Sequence, residues 1–234
     1  MIIRSAFAAL RQVLSPGLRR IALRSVGMTL ILILAVWAIL TKGFGYLLEK
    51  HPLSLDYPVV DGFVYFMAGA GLIVALLYLL PAISALVGGF FLDDAAVIVE
   101  ATDFPGDPPG QAMSTGSSIG YGLRFALLAL VVNLAALALF FIPVVNIGAF
   151  FVANAYLLGR EYFEMAAARF RPVRDAARLR RENRLLIMAA GSVLAGLMLI
   201  PVFNLLTPIF GIALMVHVHK HVAGRTALAP PARP

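Results

Sequence analysis

Ile142-Pro143-Val144-Val145-Asn146 and Ile200-Pro201-Val202-Phe203-Asn204 are two copies of one phrase, Ile-Pro-Val-x-Asn, and each lies within an apolar stretch. A proline removes a backbone hydrogen-bond donor and clashes with the preceding helical turn, so a helix bends or ends there. An asparagine three residues later can satisfy the backbone groups that such a break exposes. Each phrase therefore predicts the tip of a helical hairpin in apolar surroundings.

The composition around these phrases is that of a protein whose solvent is lipid. The chain is 61% hydrophobic and 13% charged, and its mean hydropathy is +0.92, whereas soluble domains carry roughly a quarter charged residues. Irregular backbone inside a bilayer is tolerated only where protein or a water-filled cavity surrounds it. The two tips therefore favour a channel or transporter over a simple anchor.

The basic residues lie beside apolar segments, which is typical of the cytoplasmic flanks of a membrane protein. The net charge of +7 is therefore not interpreted as a nucleic-acid signal. The chain has no cysteine, so disulfide and thiolate chemistry are excluded. The clustered arginines precede the first apolar run or lie between 160 and 184; the first group is Arg4, Arg11, Arg19, Arg20 and Arg24.

Together these patterns predict an all-α integral membrane protein with one membrane domain over residues 1–222. Acidic residues from Asp93 onward suggest a separate surface helix at 93–103, and 41–58 is a predicted polar loop. A polar helix or helix pair is expected at 160–184, with a break near Pro172. The other predicted segments are an interfacial helix at 1–14, spanning helices at 18–40 and 59–92, hairpins at 119–159 and 185–220, and a disordered tail at 223–234.

The hairpins are predicted to penetrate only half of the membrane. Their return arms have about a dozen apolar residues and reach roughly 18 Å, against a hydrocarbon core of about 30 Å. Their tips are also apolar, unlike loops that emerge into water. The alternative is six full spans, with the return arms completed by Tyr156, Tyr162 and Phe163. In both versions the arginine-rich flanks and both termini are expected on the cytoplasmic side.

The turn that precedes the first long apolar helix is a candidate anion site. Pro16-Gly17-Leu18-Arg19-Arg20 leads directly into a helix start, where unpaired N–H groups and the helix dipole favour an anion. Arg19 and Arg20 add guanidinium donors suited to sulfate, phosphate or carboxylate. The alternative interpretation is a positively charged flank with a helix-opening turn.

Several polar residues near the hairpins are candidates for a pore or gate. Arg160 and Glu164 are four residues apart and so face each other on a helix, although a surface salt bridge has the same pattern. Arg124 is a charge within a predicted membrane arm, or a side chain that reaches the interface. Amides supply donors without a trapping charge, but capping and interhelical hydrogen bonds use them equally well. The full candidate set is Arg124, Asn146, Asn154, Arg160, Glu161, Glu164 and Asn204.

The histidines of His217-Val218-His219-Lys220-His221 do not predict a metal site. Positions two apart on a helix do not face each other, and no acidic partner is adjacent in the sequence. A cytoplasmic flank is the better interpretation. The sequence also has no Walker phosphate loop, nucleophile elbow or zinc-protease motif, so neither an enzyme nor a bound cofactor is predicted.

Three segments of the sequence carry a family resemblance: Pro16-Gly17-Leu18-Arg19-Arg20, Gly88-Gly89-Phe90-Phe91-Leu92-Asp93-Asp94 and Asn154-Ala155-Tyr156-Leu157-Leu158-Gly159-Arg160-Glu161-Tyr162-Phe163-Glu164. They resemble the CysZ family of bacterial sulfate permeases, and the order of two long helices and two Pro-tipped hairpins is similar as well. The resemblance extends from about residue 5 to residue 222.

The resemblance implies ATP-independent uptake of sulfate, or a similar oxyanion, across the bacterial inner membrane for cysteine synthesis. It also implies homo-oligomers with two spanning helices and two half-penetrating hairpins, and it assigns sulfate binding to Gly17, Leu18 and Arg19. The wider superfamily includes an etoposide-induced eukaryotic membrane protein without established transport. A non-transporting membrane scaffold or assembly factor is therefore the alternative function.

Overall fold

A computed structural model describes residues 1–50, 58–138, 142 and 145–228. All regular structure in this part of the chain is helical, which confirms the predicted all-α class. The helices are α1 (Ile2–Val13), α2 (Pro16–Lys50), α3 (Pro58–Asp103), α4 (Thr115–Ala138), α5 (Val145–Ala168), α6 (Val173–Glu182), α7 (Arg184–Met198), α8 (Pro201–Asn204) and α9 (Thr207–Leu228).

The described residues fall into two compact units by their contacts, and the single membrane domain over residues 1–222 stays a prediction. The first unit is Leu23–Phe90, which contains most of α2 and the first part of α3. The second unit combines Met1–Ala22 with the described residues from Phe91 onward. The helices α2 and α3 each contribute to both units.

The helix α2 is longer than the predicted span at 18–40. It continues to Lys50, so much of the loop expected at 41–58 is helical. The Thr41 hydroxyl donates to the carbonyl oxygen of Trp37 at 2.8 Å, which keeps this polar residue compatible with the helix. In the part of the chain that the structure describes, Pro16–Tyr46 is the one helix that is long and apolar enough to cross a membrane.

The helix α3 continues to Asp103, so the prediction of a separate surface helix at 93–103 is wrong. Asp93 and Asp94 lie on an exposed part of the helix, and no proline or glycine follows them before the helix ends. Ala95, Ala96 and Val99 are fully buried in the core of the second unit. Burial of this small apolar face explains why the helix continues past the acidic pair.

The closest packing in this unit joins α5 to α7. A Cβ atom at Gly191 would overlap the carbonyl oxygen of Ala155, and one at Gly159 would lie 2.8 Å from the carbonyl oxygen of Ile187. Small residues spaced by four let two helix backbones approach in this way. The paired positions run in opposite directions, so α5 and α7 are antiparallel.

The predicted break at the second phrase is confirmed. The helix α7 ends at Met198, and Ile200 is extended with φ −101° and ψ 110°, as expected for a residue before proline. Pro201 then opens α8, and the backbone N–H of Asn204 donates to the Ile200 carbonyl at 2.9 Å. The backbone of the asparagine therefore closes this turn.

The first tip is described in part. The backbone N–H of Asn146 donates to the Ile142 carbonyl at 3.1 Å, the same pairing as in the second tip. Pro143 and Val144 lie outside the described residues. Because α5 begins and α7 ends at the tips, the antiparallel packing brings the two tips to one end of the helix pair.

The polar segment 160–184 is a helix pair, as predicted. Its first half belongs to α5, which continues unbroken to Ala168. Pro172 then precedes α6, which carries basic residues at Arg180 and Arg181 in its last turn. The predicted break near Pro172 is therefore confirmed.

The helix α9 is the centre of the second unit. From Thr207 to Val216 every residue is buried, and Gly211 packs against the ring of Tyr162. The helix α1 packs on α9 with Ala9, Gln12 and Val13 buried. The helix α9 continues to Leu228, so the first residues of the tail predicted at 223–234 are helical. Residues 229–234 lie outside the described residues.

Candidate functional site

The predicted anion site, Gly17 to Arg20, is the first turn of α2. The backbone N–H of Arg19 donates to the Ser15 carbonyl at 2.8 Å. Leu18 is fully buried, and a Cβ atom at Gly17 would lie 3.3 Å from the Ile98 side chain. Gly17 therefore packs against α3 within one unit, and Leu18 is buried in the core of that unit.

Arg19 and Arg20 point away from this packed side. Both are exposed, and neither makes an ion pair with any residue that the structure describes. A guanidinium group without a protein carboxylate keeps its planar set of donors available to an oxyanion. The turn thus combines a fixed backbone with two available cations.

A second cluster of charges surrounds Glu164. Its Oε1 atom lies 3.4 Å from Arg160 Nε and 2.6 Å from Arg180 Nε. The predicted Arg160–Glu164 pair is therefore confirmed, but the surface setting is wrong because the Glu164 side chain is only 2% exposed. Arg180 was missed because sixteen residues and a helix break separate it from Glu164.

Glu161 lies beside this cluster and just beyond the predicted first hairpin, 119–159. Burial disfavours its charged form and raises the pKa of its carboxyl group to about 7. Its carboxylate makes no ion pair with a described residue, while its backbone carbonyl accepts a hydrogen bond from the Tyr121 hydroxyl at 3.4 Å. Glu161 is thus a half-buried acid without a fixed counter-charge.

The other pore candidates are not gathered with these charges. Asn146 and Asn204 lie at the two tips, and Asn146 is about 27 Å from Glu164 along α5 at 1.5 Å per residue. The Asn154 amide donates to the Phe150 carbonyl at 2.8 Å, within α5, so this bond is neither a cap nor an interhelical contact. Arg124 is exposed on α4 and makes no ion pair with a described residue.

Sequence reasoning did not find a buried charge network around Arg169. This side chain is 3% exposed and pairs with Asp93 and with Glu100, whose Oε1 atom is 2.7 Å from Arg169 Nε. Glu100 also accepts a hydrogen bond from the Gly110 backbone N–H at 2.9 Å. The network joins α3 and the end of α5 to the Pro/Gly-rich loop after Asp103.

The histidine segment has an acidic partner that the sequence did not indicate. His217 Nε2 lies 3.2 Å from Asp103 Oδ2 and 3.2 Å from Gln12 Oε1. The expectation of no acidic partner is therefore wrong, because α9 packs beside the end of α3. His219 stacks on Phe170 with ring centroids 5.0 Å apart. Within the described residues, no group of three or more metal-ligating side chains occurs.

A protein-family model matches residues 5–208, and its description is Sulfate transporter CysZ/Etoposide-induced protein 2.4. This match covers most of the 234 residues. The chain belongs to this family. No curated protein matches it. The suspected CysZ-type resemblance is thereby confirmed, and membership of a membrane transporter family agrees with a membrane location and with a non-enzymatic role.

The CysZ family match includes the Gly17–Arg20 turn, Glu164 with Arg160 and Arg180, and the Arg169 network. It ends at residue 208, near the start of α9. The His217–Asp103 contact therefore has its histidine outside the matched region.

The Glu164 cluster leads to a stability prediction. We expect Glu164→Gln to lower the free energy of unfolding in detergent by about 3–5 kcal/mol, because the change leaves two partly buried cations without their counter-charge. The matched control is Glu182→Gln, which breaks the exposed Arg178–Glu182 pair and should cost about 0–1 kcal/mol. Equal losses in the two variants, measured by denaturant titration, would contradict a buried role for Glu164.

Proposed function

We propose that this chain is an oligomeric, ATP-independent permease that takes up sulfate, or a similar oxyanion, across the bacterial inner membrane. The sulfur would serve cysteine synthesis. The observation that carries this proposal is the Gly17–Arg20 turn within a family described as sulfate transporters. Its two arginines are exposed and make no ion pair with a described residue, while Gly17 packs against α3 and Leu18 is buried.

At this turn, the proposed chemistry is capture of a tetrahedral oxyanion without a cofactor. Arg19 and Arg20 donate charge-assisted hydrogen bonds, and the N–H groups that a first helical turn leaves unpaired would add further donors. Gly17 has no side chain, which lets this turn pack closely against Ile98 of α3. Leu18 anchors the turn, so the anion meets a preformed site.

For the membrane arrangement, we propose two spanning helices and two hairpins that enter from the cytoplasmic side. Support comes from the antiparallel packing of α5 and α7, which places both tips at one end. The fifteen residues of α7 extend about 22 Å at 1.5 Å per residue, which is short of a bilayer core of about 30 Å. The interfacial helix is α1.

Several features of α1 support its place in the interface. One face packs on α9, while the other exposes Ile3, Phe7 and Leu14 at helical spacing. Arg4 and Arg11 flank this apolar stripe. A helix with these two faces lies along a membrane surface, where its apolar side enters the lipid and its cations meet anionic headgroups.

A non-transporting membrane scaffold or assembly factor is the second candidate function. The family description also names an etoposide-induced protein, and that name states no transported substrate. A scaffold would use the same lipid-embedded hairpins but would need no available cations at the start of α2. Transport by the pure protein separates the two candidates.

The proposed transport function predicts sulfate uptake by the purified chain in liposomes. We expect uptake of labelled sulfate without ATP, and Arg19→Ala should reduce it about tenfold because a charge-assisted hydrogen bond is lost. Arg24→Ala is the matched control, an exposed arginine one turn further along α2, and should leave uptake unchanged. Absence of both uptake and sulfate binding in the folded wild-type protein would favour the scaffold.

The proposed membrane arrangement predicts how deeply the two hairpins enter the membrane. The chain has no cysteine, so single cysteines report their own accessibility. In intact cells, Val145→Cys and Phe203→Cys should resist a membrane-impermeant maleimide added outside. Lys42→Cys should react, because Lys42 follows the first proposed spanning helix and would lie on the outer side. Rapid labelling at the two tips would instead establish six full spans.

A further inference from the structure

A cavity of about 240 Å³ lies between α5, α6 and α7. Its apolar lining includes Tyr156, Leu185 and Met188. It lies where α5 changes from apolar to charged sequence and where α7 makes the reverse change. Three arginines also line it: Arg160, Arg180 and Arg184.

The cavity has an excess of positive charge. Arg160 and Arg180 share one carboxylate, that of Glu164, and Arg184 makes no ion pair with any described residue. Three guanidinium groups thus meet one carboxylate. The Nε atom of Arg160 is buried and makes no hydrogen bond, since its 3.4 Å contact with Glu164 is an ion pair without hydrogen-bond geometry.

The rest of the wall is apolar, and this decides the kind of anion. Leu185, next to Arg184, is 79% exposed, and Met188 follows one turn later on α7. An inorganic oxyanion has no part that gains from contact with these side chains. A ligand that joins a phosphate to a hydrocarbon chain satisfies both the cations and the apolar wall.

We propose that this cavity binds the headgroup of an anionic phospholipid. The phosphate accepts hydrogen bonds from Arg184 and Arg160, and an acyl chain lies along Leu185 and Met188. The volume is below the roughly 300–1,000 Å³ of sites that enclose a whole small molecule, so the cavity takes the headgroup and the start of one acyl chain and leaves the rest of the lipid in the bilayer. Basic pockets between membrane helices recognise lipid headgroups in this way.

The proposed lipid site is separate from the Gly17–Arg20 turn and does not rest on sulfate permeation. It places a negative charge between Arg160 and Arg184, of which Arg184 makes no ion pair with a described residue. A bound phosphate would therefore hold α5 and α7 together at the base of the second hairpin. Lipid binding and sulfate uptake can fail independently of each other.

The test is lipid retention by the purified full-length chain, measured by native mass spectrometry. Phosphatidylglycerol and phosphatidylcholine with identical acyl chains are added at equal concentration. We expect preferential retention of phosphatidylglycerol, and Arg184→Gln should weaken it about tenfold through loss of a charge-assisted hydrogen bond. Arg181→Gln, a neighbouring exposed arginine outside the cavity lining, should have no effect.

Two further arms identify the ligand. Met188→Trp should fill the cavity and reduce retention while leaving the net charge unchanged. Glycerol 3-phosphate, which has the phosphate but no acyl chain, should compete poorly. The proposal is overturned if the two lipids are retained equally, if Arg184→Gln or Met188→Trp has no effect, or if glycerol 3-phosphate binds as tightly as the lipid.

Discussion

The contact between Gly159 and Gly191 is the constraint on which the second unit depends. At this point the backbones of α5 and α7 approach so closely that a single methyl group on either glycine would meet the opposite main chain. The contact fixes the register of two antiparallel helices, each an arm of a different hairpin. It therefore sets which residues lie level with each other along both arms, including the tips and the charged ends.

The placement of Arg160 and Arg184 follows from that register. Gly159 is adjacent to Arg160 in the sequence, and it packs against Ile187, three residues after Arg184. Close approach of the two backbones therefore brings Arg160 and Arg184 to the same cavity. A larger residue at either glycine would separate the helices and enlarge the gap between these cations. The close approach of Gly159 and Gly191 thus determines how far apart Arg160 and Arg184 lie.

Local patterns in the sequence predicted the parts of the fold that local chemistry determines. The helical class, the break at Pro201, the break near Pro172 and the Arg160–Glu164 spacing all depend on residues within a few positions of each other. The same reasoning wrongly ended α3 before Asp93, because it treated a pair of acidic residues as a boundary. Tertiary burial of Ala95 and Val99 outweighed that signal.

Long-range partners could not be predicted in the same way. Arg169 reaches Glu100 across 69 positions, and Arg180 reaches Glu164 across a helix break. Nothing in the spacing of these residues indicates the pairing, since it arises only after α5 has packed against its neighbours. The availability of Arg19 and Arg20 is also a tertiary property, because it depends on which other side chains fail to reach them. For the candidate site, the sequence could therefore indicate the residues but not their partners.

The most direct measurement of the central constraint is a double-mutant cycle on Gly159→Ala and Gly191→Ala, read as free energies of unfolding in detergent. Each single change should destabilise by about 1–3 kcal/mol through overpacking. The double variant should lose at least about 0.5 kcal/mol less than the sum, because one methyl group already separates the helices. Gly196→Ala, in open space on α7, should stabilise by up to about 1 kcal/mol. Stabilisation at Gly159 and Gly191 like that at Gly196, with additive effects, would contradict the close approach of α5 and α7.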